Sequence, residues 1–341
     1  MGIKEIAKQA GVSIGTVDRV LHDRGRVSAE TRQRIVDIIK LHDYRPNLIA
    51  RSLKKMKKIS IALLVPKPTE DEYWQQAWEG FESQLMKAEQ HGIFIKPYFY
   101  SLKNQKLFSR YSEQILREKP DGLIMAPNYL DEGKSLYHQC TKASIPVVMF
   151  DVMLPGTNPF SFIGTNSYQS GKLAAQLLTM ISSPQGKFVI FHFDELLNNS
   201  PHMIEKEQGF IDFLKDTSGN RGYLCYCIDS RKKFDNQLER IFNTNPVSGI
   251  FVSTSKAYLV GYFLKNRKIQ NVKLVGFDLI KKNIDLLQEG YIDFLINQNP
   301  RRQAIQSLNT FIDYMVFREI SDKEPLSPIE IITRENLVSY I

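Results

Sequence analysis

Residues 3–54 read IKEIAKQAGVSIGTVDRVLHDRGRVSAETRQRIVDIIKLHDYRPNLIARSLK. Ile3, Ile6, Ala7 and Ala10 recur at helical spacing, and Gly11 ends that pattern. Ser13 is a suitable N-cap for a second helix carrying Thr16, Val17, Val20 and Leu21. After the turn-rich HDRGR, Ser28 can cap a third helix with an apolar stripe of Ile35, Ile38, Ile39 and Leu41. Two short helices joined by a tight Gly-containing turn and braced by a third make a helix-turn-helix. Its second helix turns Ile14, Gly15, Asp18 and Arg19 outward, on the face that enters a DNA major groove. The same stretch holds a G-x-S-x-G pattern at Gly11–Gly15, but a nucleophile elbow must follow a buried strand, and here a polar helix precedes it.

Charge is concentrated in this region. The chain has 341 residues with 45 Lys or Arg and 37 Asp or Glu, a formal net charge of +8. Residues 1–58 hold 14 of the basic and 6 of the acidic groups, which leaves 31 of each sign for the rest. A basic module on a neutral body is the footprint of nucleic-acid binding.

These residues closely resemble the DNA-binding headpiece of the LacI/GalR family of bacterial transcriptional regulators. The resemblance rests on I-A-x-x-A-G-V-S-x-x-T-V-x-R-V-L, on V-S-x-x-T-R and on Y-x-P-N-x-x-A-R-S-L. It implies DNA contacts by Ser13, Ile14, Gly15, Thr16, Asp18, Arg19 and Ser28. It further implies a hinge helix over 46–58 in which Asn47, Ala50, Leu53 and Lys54 meet DNA. A leucine at the position of Leu53 wedges into a minor-groove step in such proteins, where unstacking a base step exposes more DNA to the protein. At two turns, an isolated helix of this kind is marginal in water.

From Ile59 the rhythm changes to short strand-like runs: ISIALLV, IFIKPYFY, GLIMA, PVVMF, KFVIFHF, YLCYCI, GIFVS, VKLVGF and FLIN. Helical patterns separate them, among others Trp74–His91, Tyr168–Ile181, Met203–Leu214 and Gln303–Phe317. Alternation of this kind predicts an α/β body of parallel sheets covered on both faces, here two doubly wound lobes. Ligands of such folds sit at the carboxyl ends of the strands. The body, too, resembles the effector domain of the same family, a type I periplasmic-binding-protein fold, on IPVVMFD, FIGTNSYQSGKLAAQLL, VKLVGFD and INQNP. The expected domains are a headpiece over 1–45, the hinge over 46–58 and the body over 59–341. Its N-lobe takes about 59–163 and 300–328, its C-lobe about 164–299 and 329–341.

Tyr73 and Trp74 match an aromatic pair that stacks on sugar rings in that fold, and aromatic faces suit the C–H faces of a pyranose. Asp151, Asp278 and Gln298 close strands and match ligand-contacting positions; Asp71, Asn166 and Ser255 fall near the same cleft. Packing of Trp74 in the core, and helix capping by Asp151 or Asp278, are the competing structural readings. Three positions depart from the family pattern. Lys206 replaces an arginine, Ser255-Lys256 replaces an Asn-Asp pair, and Val152 stands where sugar-binding relatives often carry Arg. Arg to Lys loses the bidentate fork, and two lysines in the cleft would admit a sugar acid or sugar phosphate as well as a sugar.

No cofactor and no metal are expected. His22, His42, His91, His138, His192 and His202 are scattered without H-E-x-x-H spacing. Cys225 and Cys227 share a strand face with no second ligand pair nearby, so they read as buried thiols. There is no G-x-G-x-x-G, and Gly171-Lys172-Leu173 lacks the features of a phosphate loop. An enzyme of sugar metabolism is therefore disfavoured. No run nears the roughly 18 apolar residues of a membrane span. Lys4, Glu5 and Lys8 occupy what would be the apolar core of a signal peptide, and three cysteines, sparse and odd in number, fit a reducing cytosol. The expected protein is a cytoplasmic, nucleoid-associated homodimer, a repressor of carbohydrate-utilisation genes that reads a palindromic double-stranded operator under control of a small effector. The alternative is a sugar-binding receptor for transport or chemosensing with no DNA role.

Overall fold

The computed structural model describes residues 3–21, 27–42, 58–193, 200–217, 222–228, 234–317 and 326–341. The chain divides into two compact units, Met1–Lys57 and Lys58–Ile341. Asn47, Ala50, Leu53 and Lys54 of the expected hinge lie outside the described residues.

The first unit contains α1 (Ile3–Ala10), α2 (Ile14–Leu21) and α3 (Ala29–Leu41). Its core is small: Ile6, Ala7 and Ala10 of α1, Val17 and Val20 of α2 and Ile35 of α3 are all buried. Gly11, at φ +64°, adopts the left-handed geometry that ends a helix, and the Val12 N–H returns to the Ala7 carbonyl at 3.0 Å. Ser13 Oγ then accepts from the Thr16 N–H at 3.2 Å, and Ser28 Oγ accepts from the Thr31 N–H at 3.3 Å. Both expected caps form. One residue of the third stripe is misplaced: Leu41 is 79% exposed. Six residues beyond Ile35, it has turned roughly 240° around the helix and faces away from the core.

The body opens with β1 (Ile59–Pro66), α4 (Glu72–Gln90), β2 (Ile93–Tyr100), α5 (Gln105–Glu118), β3 (Gly122–Met125), α6 (Leu130–Lys142), β4 (Val147–Phe150) and β5 (Ser161–Ile163). These strands form a parallel sheet in the order β2-β1-β3-β4-β5. Pro97 falls in β2, an edge strand, where proline is tolerated. The chain continues through α7 (Ser167–Ile181), β6 (Lys187–Phe193), α8 (Pro201–Thr217), β7 (Tyr223–Ile228), α9 (Phe234–Thr244) and β8 (Val247–Val252). It ends with α10 (Ala257–Asn266), β9 (Lys273–Phe277), α11 (Lys281–Gln288), β10 (Phe294–Asn297), α12 (Pro300–Ile312) and β11 (Glu330–Ile332). The second sheet runs β11-β10-β9-β8-β6-β7, with only β11 antiparallel. All nine expected strands form, and β5 and β11 join them as three-residue additions.

Each sheet is buried between helices, so each lobe carries two core clusters, one on either face. Helix α12 returns from the second sheet to pack against α4 in the first lobe. In the second lobe α7 and α8 approach until backbone meets backbone. A Cβ on Gly171 would stand 1.9 Å from the Lys206 carbonyl oxygen, and one on Gly209 would stand 2.0 Å from that of Tyr168. Only glycine fits at either crossing point.

Candidate functional site

The carboxyl ends of both sheets face one cavity of about 430 Å³. From the first lobe it is lined by Asp71, Tyr73, Trp74, Asn128 and Asp151, and from the second by His202, Lys206, Ser253, Ser255, Lys256, Tyr258, Asp278 and Gln298. That volume suits a molecule of pentose or hexose size.

Two aspartates are placed alike. Asp151 follows β4 and Asp278 follows β9, each at φ 67°. The Asp151 N–H donates to the Ile163 carbonyl at the end of β5 at 2.9 Å, and the Asp278 N–H donates to that of Ile296 at the end of β10 at 3.0 Å. A non-glycine residue held left-handed is unusual, and such backbones gather at functional sites. Neither carboxylate caps a helix: Ile280 precedes α11 without a side-chain cap bond, and Asp151 leads into a loop.

Around Asp151, the Tyr73 hydroxyl donates to Oδ1 at 2.6 Å. Burial, then the neighbouring Asp151 charge, hold that phenol well above its ordinary value, so it remains a donor. Trp74 meets Tyr73 edge-on, ring centroids 5.1 Å apart, and packs on Phe150. It belongs to the first-lobe core and also lines the cavity, so the two readings of Trp74 are compatible. Asp71 has a double role as well, since its carboxylate accepts from the Trp74 N–H at 3.1 Å and caps α4 while lining the cavity.

Asp278 is 1% exposed. Gln298 Nε2 donates to both of its oxygens, at 3.2 and 3.1 Å. Burial pushes the carboxyl up to about 7, against the opposing pull of Lys206 and of the Gln298 bonds. Lys206 is itself 2% exposed. Its ammonium donates to the Ser253 carbonyl at 3.1 Å and to Gln298 Oε1 at 3.4 Å, and lies 3.8 Å from the Phe277 ring centre. This alters the expectation for Lys206. Its ammonium is engaged by groups of the protein, while its charge also favours the Asp278 anion, so it offers an incoming anion less than a lysine projecting into an open cleft would. The cavity is lined by four carboxylates, Glu70, Asp71, Asp151 and Asp278, against three lysines, Lys103, Lys206 and Lys256.

Asn166 is the one expected residue that lies outside this cavity. Its Oδ1 accepts from the Gln169 N–H at 2.9 Å, capping α7, and it faces a neighbouring depression with Tyr168 and Glu205. An asparagine directly before a helix satisfies an otherwise orphaned N–H most simply by capping. Val152 is buried and is not among the residues lining the cavity. The sequence also gave no sign of Asn283. From α11 its amide donates to the carbonyls of Ser255 and Phe277 at 2.9 Å and of Asp278 at 3.2 Å, clasping the turn that aims the aspartate. His202 was missed as well. Burial, then Lys206, push its imidazole down to about 4, so it is a neutral wall.

On the first unit, Ile14 is 45% exposed, and Gly15 and Arg19 are also exposed on α2. Ser13 is occupied at the α2 N-terminus, its Oγ 2.9 Å from Thr16 Oγ1, and Ser28 has the same role at α3. Asp18 lies on the same helix.

Residues 2–47 match the model of bacterial regulatory proteins of the lacI family, and residues 61–319 match that of a periplasmic binding protein domain. The ribose operon repressor of Bacillus subtilis is 34% identical over 286 residues, covering 82% of each chain. A regulator named RegA from Clostridium saccharobutylicum is 28% identical over 68% of this chain and 71% of its own. A structure from Bacteroides fragilis described as a LacI transcriptional regulator superposes with a TM-score of 0.78 at 28% identity, over 84% of this chain and 100% of that one. A solute-binding protein of Burkholderia graminis, solved with D-arabinose, shares the fold alone, with a TM-score of 0.72 at 18% identity over 83% and 98% of the two chains. Among the described residues no helix is long and apolar enough to cross a membrane.

Proposed function

The chain belongs to the LacI family of bacterial regulatory proteins and is a DNA-binding transcriptional regulator with a sugar-binding type of body; on that premise we propose that its effector is a neutral monosaccharide. The carrying observation is the convergence of Asp151 and Asp278 from opposite lobes on one cavity beside Tyr73 and Trp74. Carboxylates accept from hydroxyls, the Gln298 amide and Tyr73 hydroxyl orient them, and the indole covers an apolar ring face. The engagement of Lys206 within the protein favours a neutral sugar over a sugar acid or phosphate.

A sugar touching both aspartates binds better when the lobes are closed, and only such a preference can shift their arrangement. We read the protein as a cytoplasmic homodimer on a palindromic operator, without enzymatic activity. In it, lobe closure changes the spacing of the two hinge segments, and the effector changes DNA affinity by the same factor as DNA changes effector affinity. Arg19 reads a guanine through O6 and N7, and Ile14 meets a thymine methyl. The likeness to a repressor named for a ribose operon makes a pentose the first choice to test. A transport receptor is not favoured, since the basic first unit has no use in one.

A thermal-shift screen of D-ribose, D-arabinose, D-allose and D-galactose, each beside its phosphate and its acid, tests the effector class. A ligand at a hundred times its Kd should add about 2.7 kcal/mol. A shift from the neutral sugar and none from its charged derivatives is expected. Stabilisation by the phosphates alone would reverse the assignment. The DNA role is tested by a gel shift on genomic fragments, repeated with the stabilising sugar.

A further inference from the structure

We propose that His192, Glu207 and Cys225 form a zinc site in the second lobe. The ligand atoms of these three side chains lie within 4.8 Å of one another. Three elements bring them together. In the parallel pairing of β6 with β7, Ile190 stands beside Cys225 and His192 beside Cys227, so the histidine and both cysteines face one side of the sheet. Helix α8 covers that side and directs Glu207 onto it, with Glu207 Oε2 at 3.1 Å from His192 Nε2.

The donor set fixes the class of ion. One imidazole, one carboxylate and one thiolate suit zinc, whereas magnesium and calcium require oxygen throughout. Tetrahedral zinc with such ligands separates its donors by about 3–4 Å. The Glu207 side chain is 21% exposed and can rotate to admit the ion between itself and His192. The histidine is already oriented from behind, because its Nδ1 lies 2.7 Å from Ser253 Oγ. A hydrogen bond on the far ring nitrogen is what metal-ligating histidines use to fix tautomer and ring plane. The half-exposed edge at Glu207 and Cys225 provides entry, and a water fills the fourth position. Ser253 also lines the effector cleft, and its carbonyl accepts from Lys206. The metal site and the cleft therefore share a wall residue. The sequence reading of both cysteines as buried thiols needs correction, since Cys225 is half-buried and Cys227 is exposed, and the partners of Cys225 stand 33 and 18 residues away along the chain, beyond any local pattern.

The test is anaerobic titration of the reduced, chelator-stripped full-length protein with Co²⁺ alone, followed by competition with Zn²⁺. One cobalt per chain should give the visible bands of tetrahedral coordination and a near-ultraviolet thiolate charge-transfer band, and zinc should abolish both. Cys225→Ser should remove the charge-transfer band while Cys227→Ser retains it. Glu207→Gln should weaken binding, and Ser253→Ala should weaken it on the order of 10- to 100-fold. Circular dichroism of the metal-free variants separates lost ligation from lost folding, and Cys225→Ala replaces any serine variant that fails to fold. An octahedral cobalt spectrum in the wild type, or a charge-transfer band that survives Cys225→Ser and disappears in Cys227→Ser, overturns the assignment.

Discussion

Effector binding should expel a proton from Asp278. Burial holds its carboxyl at about 7 against an ordinary 3.8. That gap of roughly three corresponds to on the order of 4 kcal/mol disfavouring the ionised form in the empty cleft. The sign for folding follows directly. The folded value is raised, so this group's contribution to stability is present below about 3.8 and is lost as pH rises through about 7. For a sugar whose hydroxyls donate to the carboxylate the sign reverses, since the ligand prefers the anion. At pH 6 about nine in ten empty sites hold the protonated acid, so the apparent Kd should be about tenfold weaker at pH 6 than at pH 8. Titration calorimetry in buffers of contrasting ionisation enthalpy, using the sugar that stabilises most in the thermal screen, reads this directly. Close to one proton should leave per site at pH 6 and almost none at pH 8. Asp278→Asn should flatten the profile and bind more weakly at every pH, by about 1.5–3 kcal/mol for each charge-assisted bond lost. A Kd independent of pH in the wild type, or the same slope in the asparagine variant, would show that Asp278 does not receive the sugar's hydroxyls.

Other substitutions test other links of the argument. Arg19→Ala should cost about 1–3 kcal/mol of operator affinity in a gel shift and relax selectivity at one base pair per half-site, with thermal stability unchanged. Gly171→Ala drives a methyl against the Lys206 carbonyl and should destabilise by about 3 kcal/mol in urea unfolding. Gly15→Ala should be harmless to folding, because the nearest atom is Ser13 Oγ at 3.7 Å. Lys206→Glu replaces a buried ammonium held by the Ser253 carbonyl and Gln298 with a second buried carboxylate in the cleft and should cost about 3–5 kcal/mol, abolishing sugar binding whatever the ligand's charge; a normally folded, responsive protein would place Lys206 outside the site.

The parts legible in sequence are those governed by short-range periodicity. The headpiece stripe of Ile6, Ala7, Ala10, Val17 and Val20 and the nine apolar runs became the elements they predict. Strands β5 and β11 were hidden because three residues carry too little pattern. Within the cleft, strand ends could be found by their apolar runs, which located Asp151, Asp278 and Gln298. What a polar side chain does there depends on distant partners. Lys206 is held by a carbonyl 47 residues away and an amide 92 residues away, and no local signal distinguishes that from a lysine facing a ligand. Asn166, expected near the cleft, shows the opposite case, where a purely local rule, capping, describes what its side chain does.

The two lobes repeat one strand order, with the second sheet read from β7 as β7-β6-β8-β9-β10 beside β2-β1-β3-β4-β5, and each sets a left-handed aspartate after its fourth strand. The cleft is therefore organised like an isologous contact, the self-matching surface by which symmetric dimers pair, but built within a single chain. Affinity and signalling then separate. Under the proposed coupling, a ligand gripped by one half alone would be bound without drawing the other half in, so occupancy would rise while the operator is unaffected. On the proposed reading, response requires both halves to hold the ligand, so damage to either aspartate's turn, more than a hundred residues apart along the chain, should uncouple effector from operator.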